Sequence, residues 1–201
     1  MTTHRGKHPS CISVGTGCIE VLDIDRAEMY LGRSVCLGDY HQSELRNRIK
    51  CGWAAFSKYK DIFSSKSYSF PLKAKLFNSI VTPVILYSTA SWTLTQKMEK
   101  ILNTAMRQML RKMLCAGRRP DEDWVEYIKR TTADAEKRMY DLGYEAWTIS
   151  HKKKKLHFID KLTKTTENKW SKRILHWTPF FRCFPVRNVG HPRTRWGDQT
   201  E

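Results

Sequence analysis

The sequence has no apolar run long enough to cross a bilayer. The best stretch, Ile80 to Leu86, is interrupted by Thr82 and Pro83, whereas a spanning helix needs about twenty apolar residues. Met1 leads into the polar run TTHRGKH, which excludes a secretory signal there. The cysteines at 11, 18, 36, 51, 115 and 183 include no Cys-x-x-Cys pair, so free thiols in a reducing compartment are expected. These absences together predict an intracellular protein of nucleus or cytoplasm, not secreted and not membrane-bound. Catalytic signatures are missing as well. There is no Gly-x-x-x-x-Gly-Lys, no His-Glu-x-x-His and no Gly-x-Ser-x-Gly. A polymerase needs carboxylates converging on a pair of divalent ions, and no Asp-Asp pair flanked by apolar residues occurs.

Acidic residues are scarce relative to basic ones: 20 Asp plus Glu against 36 Lys plus Arg, a net charge of +16. Such a charge speaks about partners rather than fold. Nucleic acid is the leading candidate, because each neutralised phosphate releases a counterion. An anionic membrane surface competes less well, since the basic segments also carry tryptophans and other aromatics suited to base stacking. At 201 residues and 40% apolar composition, the chain is long enough for a real core and is not disordered by composition.

Residues 12–21 read as a hairpin around Gly15-Thr16-Gly17, and Met29–Val35 as a third strand. The period then lengthens. Leu45, Ile49, Trp53, Phe56 and Lys60 recur at three or four residues, with Asp39 and Gln42 as a capping box; Trp53 is expected in the core. Pro71 opens a helix carrying Leu72, Leu76, Phe77 and Ile80, which Pro83 should kink or end. Thr95 can cap a helix with Met98, Leu102, Ala105, Met109 and Met113 on one face, stopped by Gly117. Asp123 with Glu126 fits a cap for a helix through Lys129 or Arg130, and another helix should run from about Thr132 through Met139. Residues 150–201 hold 13 Lys/Arg against 4 Asp/Glu. With Pro179, Pro185 and Pro192 they read as a loop-rich basic tail. There Trp170 and Trp177 should dock on preceding helices, and Trp196 should stay accessible.

Several motifs allow a chemical and a plainer reading. Lys152 to Lys155 could contact phosphate or act as a nuclear signal, or simply form a solvated helix face. His4, His8, Cys11 and Cys18 could supply zinc ligands, but their spacing is irregular, and Cys183 with His191 lacks two further partners. Asp121, Glu122 and Asp123 could hold a metal, yet acids at a helix start are explained by capping and the dipole.

The blocks also fall in a recognisable order. EVLDIDRAEMYLGRSV (20–35) resembles the end of the palm in LINE-type (non-LTR) reverse transcriptases, where a Tyr-Leu-Gly strand supplies the primer-grip turn. SELRNRIKCGWAAFSKYKDIF (43–63), PLKAKLFNSIVTPVILYSTASWTLT (71–95) and MRQMLRKML (106–114) resemble thumb-side helices. EDWVEYIKRTT (122–132), NKWSKRILHWTP (168–179) and VGHPRTRW (189–196) resemble the C-terminal region. The likeness begins downstream of the family's (F/Y)ADD strand, so the metal-binding aspartates and the endonuclease domain fall outside this chain. KKKKLHFIDKL (152–162) stands where the family tends to carry an Arg-Lys-Trp-x-x-Ala-Gly-like segment, a departure consistent with drift.

The expected fold is mainly α with a small N-terminal β element, in three parts: an end-of-palm element over 1–38, a thumb-like helical region over 39–118 and a basic C-terminal region over 119–201. The expected role is contact with RNA and DNA, as template–primer and target, without catalysis. No cofactor belongs to this chain; Mg²⁺ is implied only in an intact parent enzyme. The resemblance points to Tyr30, Leu31 and Gly32 at the primer end. The charge pattern points to Lys50, Lys58, Arg107, Arg111, Lys152, Lys153, Lys154, Lys155, Arg193 and Arg195 at phosphates, with Trp196 beside them. Two rivals stand next to this reading. One is a free-standing helix-turn-helix DNA binder over 122–142 with Thr131-Thr132 at the turn; the other is a non-functional relic of a mobile element.

Overall fold

The computed structural model describes residues 11–170 apart from 22, 24, 25, 37 and 166–168. Four short strands lead into a mainly helical body, as expected from the change of period. Strands β1 (Cys11–Val14) and β2 (Gly17–Glu20) pair antiparallel, with Cys11 opposite Glu20 and Ser13 opposite Cys18. The glycine turn predicted there is present, with Gly15 at φ +60°. Cys11 and Cys18 become diagonal neighbours on one face of this hairpin and are joined as a disulfide. This corrects the expectation of free thiols for these two residues: strand register, not their separation along the chain, brings the sulfurs together. No group of residues suited to a metal ion occurs among the described residues, while His4, His8, Cys183 and His191 lie outside them.

The expected third strand is a second hairpin, β3 (Glu28–Tyr30) and β4 (Arg33–Val35). Leu31 at φ 49° and Gly32 at φ 73° reverse the chain between them. Two successive left-handed residues make the tight turn that matches the twist of paired strands.

Helix α1 (Tyr40–Lys58) starts where its cap was read: the Gln42 amide donates to the Asp39 carboxylate at 3.2 Å. Its buried positions are Glu44, Leu45, Arg48, Gly52 and Phe56, so the inward face is rotated from the expected stripe and Trp53 is only half-buried at its edge. Gly52 explains the rotation. Ile85 fills the space beside it, and a Cβ on Gly52 would fall 2.7 Å from Ile85 Cγ1 and nearer still to Cδ1. The short α2 (Lys60–Phe63) stacks Phe63 on Phe56 with ring centres 4.5 Å apart.

Helix α3 (Phe70–Ile85) has Pro71 in its first turn, where a missing N–H is harmless. Pro83 lies inside the last turn and the helix continues to Ile85, closed by the Leu86 amide donating to Thr82 O at 2.9 Å. Its buried positions are Lys73, Ala74, Phe77, Val81 and Ile85, whereas Leu72 is half exposed. A 3₁₀ turn (Thr89–Ser91) leads to α4 (Gln96–Leu114). The Met98 amide donates to Thr95 Oγ1, and Met98, Leu102, Ala105, Met109 and Met113 are all buried, as the spacing predicted. The stop is Cys115 in the left-handed region rather than Gly117. Lys73, buried on α3, donates to Met113 O at 2.9 Å and so places a cation on the carbonyls at this helix end.

Helix α5 runs unbroken over Trp124–Asp141, capped by Asp123 accepting from the Val125 amide. This corrects the helix-turn-helix reading. Thr131 is buried inside the helix and donates back to Tyr127 O at 2.7 Å, so the expected turn does not form. Helix α6 (Trp147–Thr163) corrects the loop-rich reading of the first part of the tail. Trp147, Thr148, His151 and Lys155 recur on one buried face, and the lysines between them are good helix formers. Trp170 is 71% exposed, which corrects the expectation that it is buried against the preceding helices. Trp177 lies outside the described residues. One apolar cluster runs from Leu45 to Trp147, with Phe77 stacked on Trp147 at 5.7 Å, and so includes residues on both sides of position 118. Among the described residues no helix is long and apolar enough to cross a membrane.

Candidate nucleic-acid interface

The Tyr30-Leu31-Gly32 turn is presented outward. Tyr30 is 67% and Leu31 76% exposed. A leucine at positive φ is disfavoured by its Cβ and persists only where its surroundings hold it. Here both turn carbonyls are held. Leu31 O accepts from the Tyr87 hydroxyl at 3.2 Å, and Gly32 O accepts from Arg48 Nη2. Arg48 also lies 4.7 Å from the Tyr87 ring centre and donates through Nε to the Glu44 carboxylate at 2.7 Å. The other oxygen of Glu44 accepts from the Ser34 amide at 2.5 Å. A buried carboxylate is stable only when such partners surround it, so the ion pair fastens β4 and the turn to α1.

Helical geometry extends this feature. Asn47 reaches Met29 on β3, and Asn47, Lys50 and Lys58 share one face of α1 because they recur at three and eight residues. Lys50 and Lys58 are exposed, and Lys58 Nζ lies 6.0 Å from the Tyr59 ring. Helical geometry therefore puts these two lysines on the face of α1 that Asn47 shares, turned away from buried Arg48.

The other sequence candidates are disposed differently. Arg107 Nε pairs with Glu136 at 2.7 Å, and Arg111 donates to Thr132 Oγ1 at 2.9 Å, so both join α4 to α5. Lys152 pairs with Glu99 at 3.4 Å and Lys153 with Glu145, while Lys154 is exposed on α6. Lys155 is buried, with Nζ 3.5 Å from Trp92 O, and does not reach the surface of the lysine run. Arg193, Arg195 and Trp196 lie outside the described residues. The acidic cluster is accounted for by structure. Arg130 donates to both oxygens of Glu122 at 2.6 and 2.7 Å, and these hydrogen bonds pull that carboxyl down to about 2.

The chain is similar to a transposon-derived protein. That relative, from Caenorhabditis elegans and itself uncharacterised, is 23% identical over 177 residues, which make up 88% of this chain and 59% of the relative. The likeness points to a mobile-element origin. No protein-family model matches the chain, and no solved structure matches it.

Sequence reasoning missed Glu44, Arg48 and Tyr87. Glu44 and Arg48 stand four apart on a helix, which reads as an exposed pair of small consequence. Only the docking of β4 buries them. The Leu-Gly dipeptide was the available signal for the turn, but it lies within apolar residues that also suit a continuous strand.

Proposed function

We propose that this chain is the nucleic-acid-binding part of a mobile-element protein of the LINE-type reverse-transcriptase kind, contacting template–primer and target DNA without catalysis of its own. One observation carries the reading: a strained, outward-facing Tyr30-Leu31-Gly32 turn is clamped by Arg48 and Tyr87 onto α1, a helix that also carries exposed Lys50 and Lys58. Strain held in place by surrounding contacts is a mark of functional positions. An exposed aromatic together with exposed cations suits stacked bases and their phosphates. The transposon-derived relative and the order of sequence blocks support the same reading, with Lys152, Lys153 and Lys154 as further phosphate contacts. The single α5 helix leaves the helix-turn-helix alternative without its turn.

The test is anisotropy titration of labelled single strands and primer–template duplexes across a salt series. With roughly six phosphates contacted, log K should fall against log salt with a slope of about −4 to −5. The double variant Lys50→Gln/Lys58→Gln should flatten that slope by about 2. Tyr30→Ala should weaken binding to single strands more than to duplex. A slope near zero discards the proposal, as does template-dependent primer extension above a heat-killed control.

A further inference from the structure

A second polar cluster lies where β4, the start of α1, the 3₁₀ turn and α6 come together. Trp92, Thr89, Thr93 and His151 are each at most 2% exposed. Among the described residues, Trp92 Nε1 and the hydroxyls of Thr89 and Thr93 have no hydrogen-bond partner, nor do Arg33 Nε and Nη2, which are buried although Arg33 itself is partly exposed. A chain of contacts connects them. The Arg33 guanidinium lies 5.2 Å from the Tyr40 ring centre, and the Tyr40 ring lies 5.1 Å from that of His41. His41 Nδ1 accepts from the Thr93 amide at 3.3 Å, and the Trp92 and His151 rings are 6.3 Å apart.

We propose that Arg33, Trp92 and Thr93 form a binding site for a small oxyanion of the phosphate class, with Arg33 at its rim. The inference does not rest on the nucleic-acid reading above. Its basis is an imbalance of donors over acceptors. Arginine and the indole can only donate, and a guanidinium does not shed its proton. Burying its N–H groups without an acceptor is costly. The carboxylates nearby are Asp39, which caps α1, and Glu44, which is committed to Arg48 and the Ser34 amide; among the described residues neither forms an ion pair with Arg33. Water could satisfy the indole or a hydroxyl, but it supplies no charge opposite Arg33. The tetrahedral oxygens of a phosphate accept from several directions at once and match a guanidinium. The surroundings agree with a cationic site: burial is the largest effect keeping His41 below its usual pKa, opposed by Asp39 and reinforced by Arg33 and Lys155.

The anion could be free phosphate or the terminal phosphate of a nucleic-acid strand, and the experiment separates them. Thermal unfolding of the full chain is followed in about 10 mM inorganic phosphate against chloride of equal ionic strength, where binding should raise the midpoint by at least about 2 °C. Arg33→Gln should abolish the increment. Thr93→Val keeps the packing volume and removes one donor, Trp92→Phe removes another at the cost of a cavity, and both should reduce it. Competition of ³¹P-detected phosphate binding then uses 5′-phosphorylated and 5′-hydroxyl oligonucleotides. Displacement by the phosphorylated strand alone assigns the site to a strand end; displacement by neither assigns it to the free anion. Equal midpoints in phosphate and chloride overturn the proposal and leave water in the cluster. An increment that survives unchanged in Arg33→Gln and Thr93→Val overturns it as well, by placing phosphate on the surface lysines.

Discussion

The two N-terminal hairpins are built from equally short strands, yet they are held by different forces. In β1–β2 nearly every residue is exposed, Ile12, Val14 and Ile19 included, and the closure is the Cys11–Cys18 disulfide. In β3–β4, Ser34 is buried and the closure is tertiary, through Glu44, Arg48 and Tyr87. A two-stranded hairpin is marginal by itself in water. The first hairpin is therefore stabilised within itself, whereas the second borrows its stability from the helical body. That arrangement lets the body fix the position of the Tyr30-Leu31-Gly32 turn.

The comparison can be broken most forcefully at the ion pair. Arg48→Met leaves the Glu44 carboxylate buried without its cation and should cost about 3–5 kcal/mol, read by urea unfolding. The amides of β3–β4 should lose hydrogen-exchange protection and those of β1–β2 should not. Equal loss in both hairpins would show that they form one unit.

Acid should come next. Burial, with Lys155 and Lys152 adding to it, lowers His151 to about 4. Its folded form thus stays neutral where the unfolded chain, near 6.5, takes up a proton. This contribution is constant above the unfolded value, declines as pH falls below about 6.5 and levels off below about 4. Between pH 7.5 and 5 the loss should be about 2 kcal/mol. His41 is also shifted downward, chiefly by burial, and acts in the same sense. Urea midpoints at the two pH values, with and without His151→Gln, check this. A pH dependence unchanged in the variant assigns it to other groups.

Gly52→Ala sharpens the account of the body. Helix propensity favours alanine by about 1 kcal/mol, but the added Cβ meets Ile85, and overpacking of this kind costs about 1–3 kcal/mol. A net loss is expected, and adding Ile85→Val, which removes Cδ1 but keeps Cγ1, should relieve only part of the clash. The smallest effect should come from reduction of the first hairpin. Cys18→Ser should alter exchange of the β1–β2 amides while moving the global unfolding free energy by less than about 0.5 kcal/mol. A larger shift would mean that this hairpin supports the body after all.

Local rules made much of this legible. Asp39, Thr95 and Asp123 were readable as caps because a cap depends on residues within one turn. The buried face of α4 followed from five apolar residues at helical spacing. The phases of α1 and α3 followed in part: Leu45, Phe56 and Phe77 are buried as spaced and Trp53 packs at the core's edge, but Gly52, Lys73 and Ala74 take buried positions that a count of large apolar residues does not assign to them. The break expected at Thr131 failed because a threonine can donate to its own helix and stay inside it.

The sequence alone determined the helix-rich body after a short β element, the positive charge and the absence of a membrane-spanning helix among the described residues, since composition and periodicity act along the chain. The tertiary structure decided what each charge does. Lys50 and Lys58 stay at the surface, Arg107 pairs with Glu136, Lys73 and Lys155 turn inward, and Arg48 fastens the hairpin. Such assignments depend on which residues distant in sequence meet, and on how much water is left between them. Neither is encoded by spacing within a single helix.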